Sequence, residues 1–295
     1  MLLVPGAFAA EGGFSVYGLG GSAFNAGITP PAGTYVTPLA GYYQGVIEGN
    51  ATVGGVPVRA GAEVGFFSTG VNLLYVPEAK FLNGTPGLSL TLPFGCVGLT
   101  ASLSAGGPGV SRDVDGCGIG DFNVRAQVGW QHETFFVSPY VAVVLPTGKY
   151  NPGFSPSIGL HRPAIDTGIG LTWIEPNSKI QISATPGITF NFENTATQYT
   201  SGTEFHLDWA VGKTLDNGLT LGVVGYNYRQ LTGDSGPGAT LGAYKGSVDA
   251  VGLGLDYSTK INDVPTSISF RHYREFNAEH RFEGSTTLAT MSFAF

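Results

Sequence analysis

The chain has 295 residues, enough for one large β domain or two ordinary ones. Only 12 % of them are charged, against about 25 % in typical soluble domains, while 46 are Gly, 19 Phe and 13 Tyr. That balance excludes the charged surface of an ordinary soluble enzyme, and a net charge of −7 without any run of Lys or Arg excludes nucleic acid as a partner.

In chain order, residues 1–10 (MLLVPGAFAA) read as the remnant of a secretory signal peptide, a short apolar run ending in an A-x-A type cleavage site. Residues 11–34 are rich in Gly and Pro and form an N-terminal segment that could pack inside whatever follows. From 35 to 295 the chain reads as one domain of repeated extended runs. The strand candidates are 35–49, 62–76, 87–104, 119–131, 135–146, 162–174, 179–193, 203–214, 219–230, 246–260, 265–276 and 283–295. Their mark is period-two alternation, which in an extended chain separates two faces. Phe205, Leu207, Trp209 and Val211 oppose Glu204, His206, Asp208 and Ala210. Ile180, Ile182, Ala184, Ile188, Phe190 and Phe192 oppose Gln181, Ser183, Thr185, Thr189, Asn191 and Glu193. Between the runs 203–214 and 219–230 stands Asp216-Asn217-Gly218, a tight-turn signal, because Asn and Gly tolerate the positive φ such a turn needs.

No window holds the roughly 18 consecutive apolar residues of a membrane helix. The strands are nevertheless long, their count is even, and short turns alternate with long loops rich in Gly, Pro, Asp and Ser. These features predict an all-β fold, a transmembrane antiparallel β-barrel of about 12 strands of the bacterial outer-membrane type. A closed sheet satisfies every backbone group without water, as lipid demands. The alternating end Met291-Ser292-Phe293-Ala294-Phe295 fits such a barrel, and a soluble β-sandwich fits strands of this length poorly. The long loops are expected to face the cell exterior, with both chain ends on the periplasmic side.

Several segments resemble an outer-membrane channel family linked to the meta pathway of phenol degradation. They are Gly118-Ile119-Gly120-Asp121, the run from Ser138-Pro139-Tyr140 to Pro146-Thr147-Gly148, Asn191-Phe192-Glu193-Asn194, the run from Tyr199-Thr200-Ser201 to Phe205-His206, Gly225-Tyr226-Asn227-Tyr228-Arg229-Gln230-Leu231 with Asp234-Ser235-Gly236-Pro237-Gly238, and Arg271-His272-Tyr273-Arg274-Glu275-Phe276. The match runs from about residue 118 to the end, and the first hundred residues follow it only loosely. The resemblance implies a twelve-stranded channel that passes small hydrophobic compounds, monoaromatics among them, with outer-membrane lipid and those solutes as its partners. The substrate class comes from the resemblance alone. Each barrel is expected to work as a monomer.

Among local motifs, Gly233-Asp234-Ser235-Gly236 matches a serine-protease nucleophile, but no His stands in a protease-like context, so it reads as a turn. Asp113-Val114-Asp115-Gly116 resembles the start of a calcium loop without its closing ligand, so it reads as a solvated loop. Neither a metal nor another cofactor is called for. Cys96 and Cys117 lie ten or eleven residues either side of a hairpin tip at Gly106-Gly107, nearly opposite across the ladder, which in an oxidising compartment predicts a disulfide.

In a barrel the polar faces line the lumen. The expected lining is Asp121, Asn123, Arg125, Gln127, Asn191, Glu193, Glu204, His206, Asp208, Asn227, Arg229, Arg271 and Glu275. Prolines inside strands remove ladder donors. Pro139 and Pro186, flanking the candidate 162–174 with its Gly168 and Gly170, are therefore the expected place for a lateral opening. A passive channel for hydrophobic molecules is the favoured function. A porin for polar solutes and an outer-membrane barrel enzyme are the alternatives, the last without a converging Ser/His/acid set.

Overall fold

The computed structural model describes residues 11–53, 56–105, 107–152, 157–240 and 242–295; the signal-peptide reading of 1–10 and Gly106 of the hairpin tip lie outside these. Among them are thirteen strands. They are β1 (Gly33–Val53), β2 (Val56–Val76), β3 (Thr85–Ala105), β4 (Val110–Ile119), β5 (Phe122–His132), β6 (Phe135–Leu145), β7 (Ala164–Ile174), β8 (Ile180–Asn191), β9 (Glu204–Thr214), β10 (Leu219–Gln230), β11 (Ser247–Ile261), β12 (Val264–Glu279) and β13 (Glu283–Ala294).

Consecutive strands pair antiparallel except β4 with β5, and β1 pairs with both β2 and β13, so the sheet closes into a barrel. Two strands share one stave. Thr85–Thr91 of β3 pair with β5, while Phe94–Leu103 of the same edge pair with β4. The break at Gly120-Asp121 lies opposite Pro93, which has no N–H to give the ladder. There the Gly120 N–H donates to the Pro93 carbonyl at 2.9 Å, and the chain bulges. The barrel thus has twelve staves.

The wall is apolar outside. Phe67, Leu73, Tyr75, Leu88, Val141, Ile182, Val211, Val223, Leu253 and Phe270 are exposed on it. Inside, polar side chains alternate with these and are buried: Gln181, Ser183, Thr185 and Thr189 on β8, and Glu204, His206 and Asp208 on β9. That inversion of the soluble pattern is what lipid on one side and a packed lumen on the other require.

The turn between β9 and β10 holds Gly218 at φ +84°, and the β11–β12 turn holds Asn262 and Asp263 at φ 49° and 65°, the mirror-image turn that matches strand twist. Except for the β1–β2, β3–β4 and β12–β13 hairpins, the short turns sit at one end with Phe295 and the start of β1. The long connections 146–163, 192–203 and 231–246 sit at the other.

β1, β2 and β3 are 21 residues each, about twice the 11 of β5 and β6. About ten residues suffice to cross the hydrocarbon. The surplus makes a sheet of β1–β4 that stands above the rim, beyond the last β1–β13 pair, Val46 with Glu283. Strand candidates ending at 49 and restarting at 62 are therefore too short, and 104–118 is mostly strand. Gly, Ala, Ser and Thr fill these arms because no lipid asks for bulky side chains there. Asp113–Gly116 accordingly lies within β4 instead of a loop. Cys96 and Cys117 face each other in the β3–β4 ladder and are joined as a disulfide.

Candidate functional site: the plugged lumen

β9 alternates with period two, so Glu204, His206 and Asp208 all point inward, each no more than 1 % exposed. A buried carboxylate without partners is costly. The lumen supplies those partners largely from residues 14–29, which run along the inner wall. Asp208 accepts the Tyr17 hydroxyl at 2.9 Å and the Gly20 and Ser22 N–H groups at 3.0 Å each. Glu204 accepts Ser15, the Asn191 amide at 2.9 Å and Arg162 at 3.4 Å. Asp166 on β7 accepts Tyr140 at 2.9 Å and Thr189 at 2.7 Å and pairs with His206 Nε2 at 2.8 Å. The Tyr17 ring stacks on His206 at 3.5 Å between centroids.

The segment then descends. Tyr273 donates to the Gly20 carbonyl at 2.9 Å and Arg271 to that of Gly21 at 2.8 Å. Phe24 packs into the buried cluster of Ala210, Val224 and Tyr226. Asn25 N–H donates to Gln181, and Gly27 N–H to Thr172 at 2.9 Å. Thr29 meets Ser138 at 3.2 Å and accepts from Gln127 at 3.1 Å. At its upper end Glu11 accepts from Tyr150, Asn194 and Thr197 in the long connections. The described start of the chain is therefore at the opposite end from Phe295. The expectation of both ends on one side holds only for the start of β1 and the C-terminus.

Of the expected lining, Asn123, Arg125, Gln127 and Arg271 face a cavity of about 580 Å³ together with Asp121. Asp121 sits at the stave break and accepts the N–H groups of Gly148, Leu160 and His161, so it ties a long connection to the wall. Glu275 is inside as well, accepting Tyr226 at 2.7 Å, Tyr43 at 2.9 Å and the Gly284 N–H at 2.8 Å.

Three expected residues are elsewhere. Glu193 lies past the end of β8 and is exposed. Asn227 and Arg229 point outward, where both bond Asp249, the guanidinium in two bonds at 2.7 and 2.8 Å. Tyr226 and Tyr228 hold the inner face of β10 and are buried. At the rim the outer face has left the hydrocarbon, so charge is tolerated there. Sequence reading missed Tyr17, Tyr140 and Asp166. Asp166 had a signal, since it alternates in step with Gly168, Gly170 and Thr172.

The strand prolines coincide with breaks in the ladder. β5 and β6 pair Gln127 with Tyr140 and Trp130 with Val137, and nothing between, so Val128 and Gly129, paired to β3 on their other side, have no β6 partner beside Ser138 and Pro139. β7 and β8 likewise skip Ile169 and Gly170 beside Thr185 and Pro186. The register is the same on both sides of each gap, so neither is a bulge, and the Pro139 gap faces β5, not β7. Both are backed from inside. A Cβ on Gly129 would lie 2.3 Å from Thr29 Oγ1, and one on Gly170 2.1 Å from the Ala26 carbonyl oxygen. One on Gly168 would meet the Tyr140 hydroxyl at 2.7 Å. The room these glycines leave is taken by the segment and by Tyr140.

Outside the β5–β6 gap is an apolar hollow of about 540 Å³, lined by Tyr75, Pro86, Leu88, Val128, Pro139 and Val141. It shares Gln127 and Tyr140 with the lumen cavity. The protease-like motif is structural: Asp234 is buried and accepts from Tyr199 at 2.6 Å, Gly202 at 3.0 Å and Gln230 at 2.7 Å.

A closed twelve-stave barrel, apolar outside and polar within, is a bacterial outer-membrane β-barrel. The family model described as "Putative MetA-pathway of phenol degradation" matches residues 44–291, and the chain belongs to that family. An outer membrane channel from Pseudomonas putida F1 has the same fold, with TM-score 0.62 and 15 % identity over 90 % of this chain and 97 % of that one. A Pseudomonas aeruginosa FadL homologue gives TM-score 0.45 at 10 % identity over 98 % of each chain. The translocator domain of the autotransporter NalP from Neisseria meningitidis gives 0.43 at 11 % over 90 % of each. No curated protein matches the sequence.

Proposed function

We propose that this protein is a passive outer-membrane channel for small hydrophobic compounds of monoaromatic size, working as a monomer with its long connections outward. The solute enters the lumen cavity from the long-loop side and leaves sideways into the membrane between β5 and β6. One observation carries this reading: the lumen cavity and the apolar outer hollow share Gln127 and Tyr140, at the point where Pro139 interrupts the ladder. A proline there withholds a donor that lipid could not replace, so a closed wall gains nothing from it. A hydrophobic solute passing from one apolar hollow to lipid sheds little water, whereas a polar solute would have to be desolvated. Thr29 stands behind the gap, so passage requires that part of the segment to move.

The test locks the gap. Val128→Cys with Pro139→Cys places two thiols opposite each other across it. Toluene uptake by cells carrying this variant should fall when the pair is oxidised and return on reduction, with the unaltered protein under the same treatments as control. Full uptake with the wall locked overturns the lateral route and leaves a straight vertical path.

A further inference from the structure

Arg125 is the one charged group lining the lumen cavity to which the described residues supply neither a counter-charge nor a hydrogen bond. The cavity's carboxylates are Asp121 and Asp166, and each is held by three hydrogen-bond partners. Its other cation, Arg271, has Asp256 at 3.7 Å and the Gly21 carbonyl at 2.8 Å. Among the described residues no carboxylate lies within 4.0 Å of Arg125. Its Nε is buried without a hydrogen-bond partner, and its guanidinium carbon rests 3.8 Å over the Tyr140 ring. An arginine stays protonated at any working pH, and a buried donor left unmade is expensive. A ring below the guanidinium holds the plane in place and leaves its edge free, the geometry in which a carboxylate is received through two parallel bonds. The same cavity is lined by Leu39, Leu74 and Leu288, which are apolar.

We infer that this cavity is a binding site for small aromatic acids, with the carboxylate on Arg125 and the ring against the leucines. The inference rests on the channel reading in one respect, that the cavity is where solute dwells, and it sharpens the substrate class from hydrophobic to amphipathic. An anion there would neutralise the guanidinium and fill its donors.

The test is calorimetric titration of the purified, detergent-solubilised protein with sodium benzoate and with benzyl alcohol, a neutral analogue of similar shape. Benzoate should bind the unaltered protein at least ten-fold more tightly than benzyl alcohol. Charge-assisted bonds of this kind are worth about 1.5–3 kcal/mol, so Arg125→Gln should weaken benzoate by about 10- to 100-fold and benzyl alcohol by less than about two-fold. Arg125→Lys, which keeps the charge and loses the fork, should fall between. Heat-modifiable migration on gels checks that each variant is still a barrel, and the benzoate-to-alcohol ratio of the unaltered protein needs no variant at all. Equal binding of the two ligands, or benzoate binding untouched by Arg125→Gln, overturns the site. Toluene uptake without benzoate binding overturns the site and leaves the hydrophobic channel standing. Benzoate binding without toluene uptake supports the site and overturns the hydrophobic channel.

Discussion

The two halves of the barrel wall differ in what covers them. β6–β9 and β12 present a dense set of buried polar side chains, and residues 15–29 lie on that half, bonding Asp208, Arg271, Gln181, Thr172 and Ser138. β13 and β1–β3 present Leu39, Gly41, Leu74 and Leu288 to the cavity, and the segment meets this side through Phe14, packed against Tyr43 and Phe66. The polar groups on this second half are settled locally, Asn72 with Thr91 at 2.8 Å and Thr37 with Ser292 at 2.8 Å. The lesson is one of demand. A wall rich in orphan donors and acceptors fixes a segment upon it, and a wall that satisfies itself across its own ladder leaves space.

The comparison breaks most visibly if the segment is removed. Deletion of residues 11–29 should uncover the polar half and raise conductance in planar bilayers several-fold, to a steady level. An unchanged conductance would mean that the long connections, not the segment, set the pore.

Single substitutions in the two halves should then part company. Asp208→Ala strands the Tyr17 hydroxyl and two N–H groups and should cost about 2–3 kcal/mol in urea unfolding, with bursts of open-channel current. Leu288→Ala only enlarges a space that already exists, so its cost should stay near 1 kcal/mol without new current. Equal costs would deny the asymmetry.

The smallest effect lies outside both halves. Glu175 caps its turn by accepting the Ser178 N–H and the Asn177 amide, and hydrogen bonding from the Ser178 side chain first, then from the Ser178 and Asn177 N–H groups, lowers its carboxyl from 4.5 to about 2. A depressed folded value stabilises above the ordinary one and is lost as pH falls from about 4.5 through about 2. Glu175→Gln should therefore lower the melting temperature slightly at neutral pH and not at pH 2, leaving conductance unchanged at both.

Much of this fold was legible because the strands are long and alternate cleanly, as on β8 and β9, and because Asp216-Asn217-Gly218 declares its turn. The misplaced lining shows where pattern alone misleads. Polar was equated with inward, which fails at the rim, where the outer face has left lipid. Register would have corrected it: a hairpin centred on Asn217 sets Tyr226 opposite Asp208 and Tyr228 opposite His206, hence on the same face, and sends Asn227 and Arg229 outward. The segment's path had no such signal. Its hydrogen bonds are largely given by backbone N–H groups of Gly20, Ser22, Asn25 and Gly27, which every sequence possesses. The only trace was on the receiving side, carboxylates on β9 too many for the cations near them.

The pairing of β1 with β13 also constrains the order of assembly. The segment is continuous with β1, yet its described start is at the far mouth of the barrel, among the long connections. If the first and last strands zipped together early, some twenty residues would afterwards have to be drawn through a finished cylinder. If the segment is first laid along β6–β9, held by the carboxylates waiting there, the β1–β13 seam can shut over it like a lid on a packed case. The seam is thus the ladder that can form last without threading. A barrel synthesised with β1 foremost must keep that edge open until its final strand arrives.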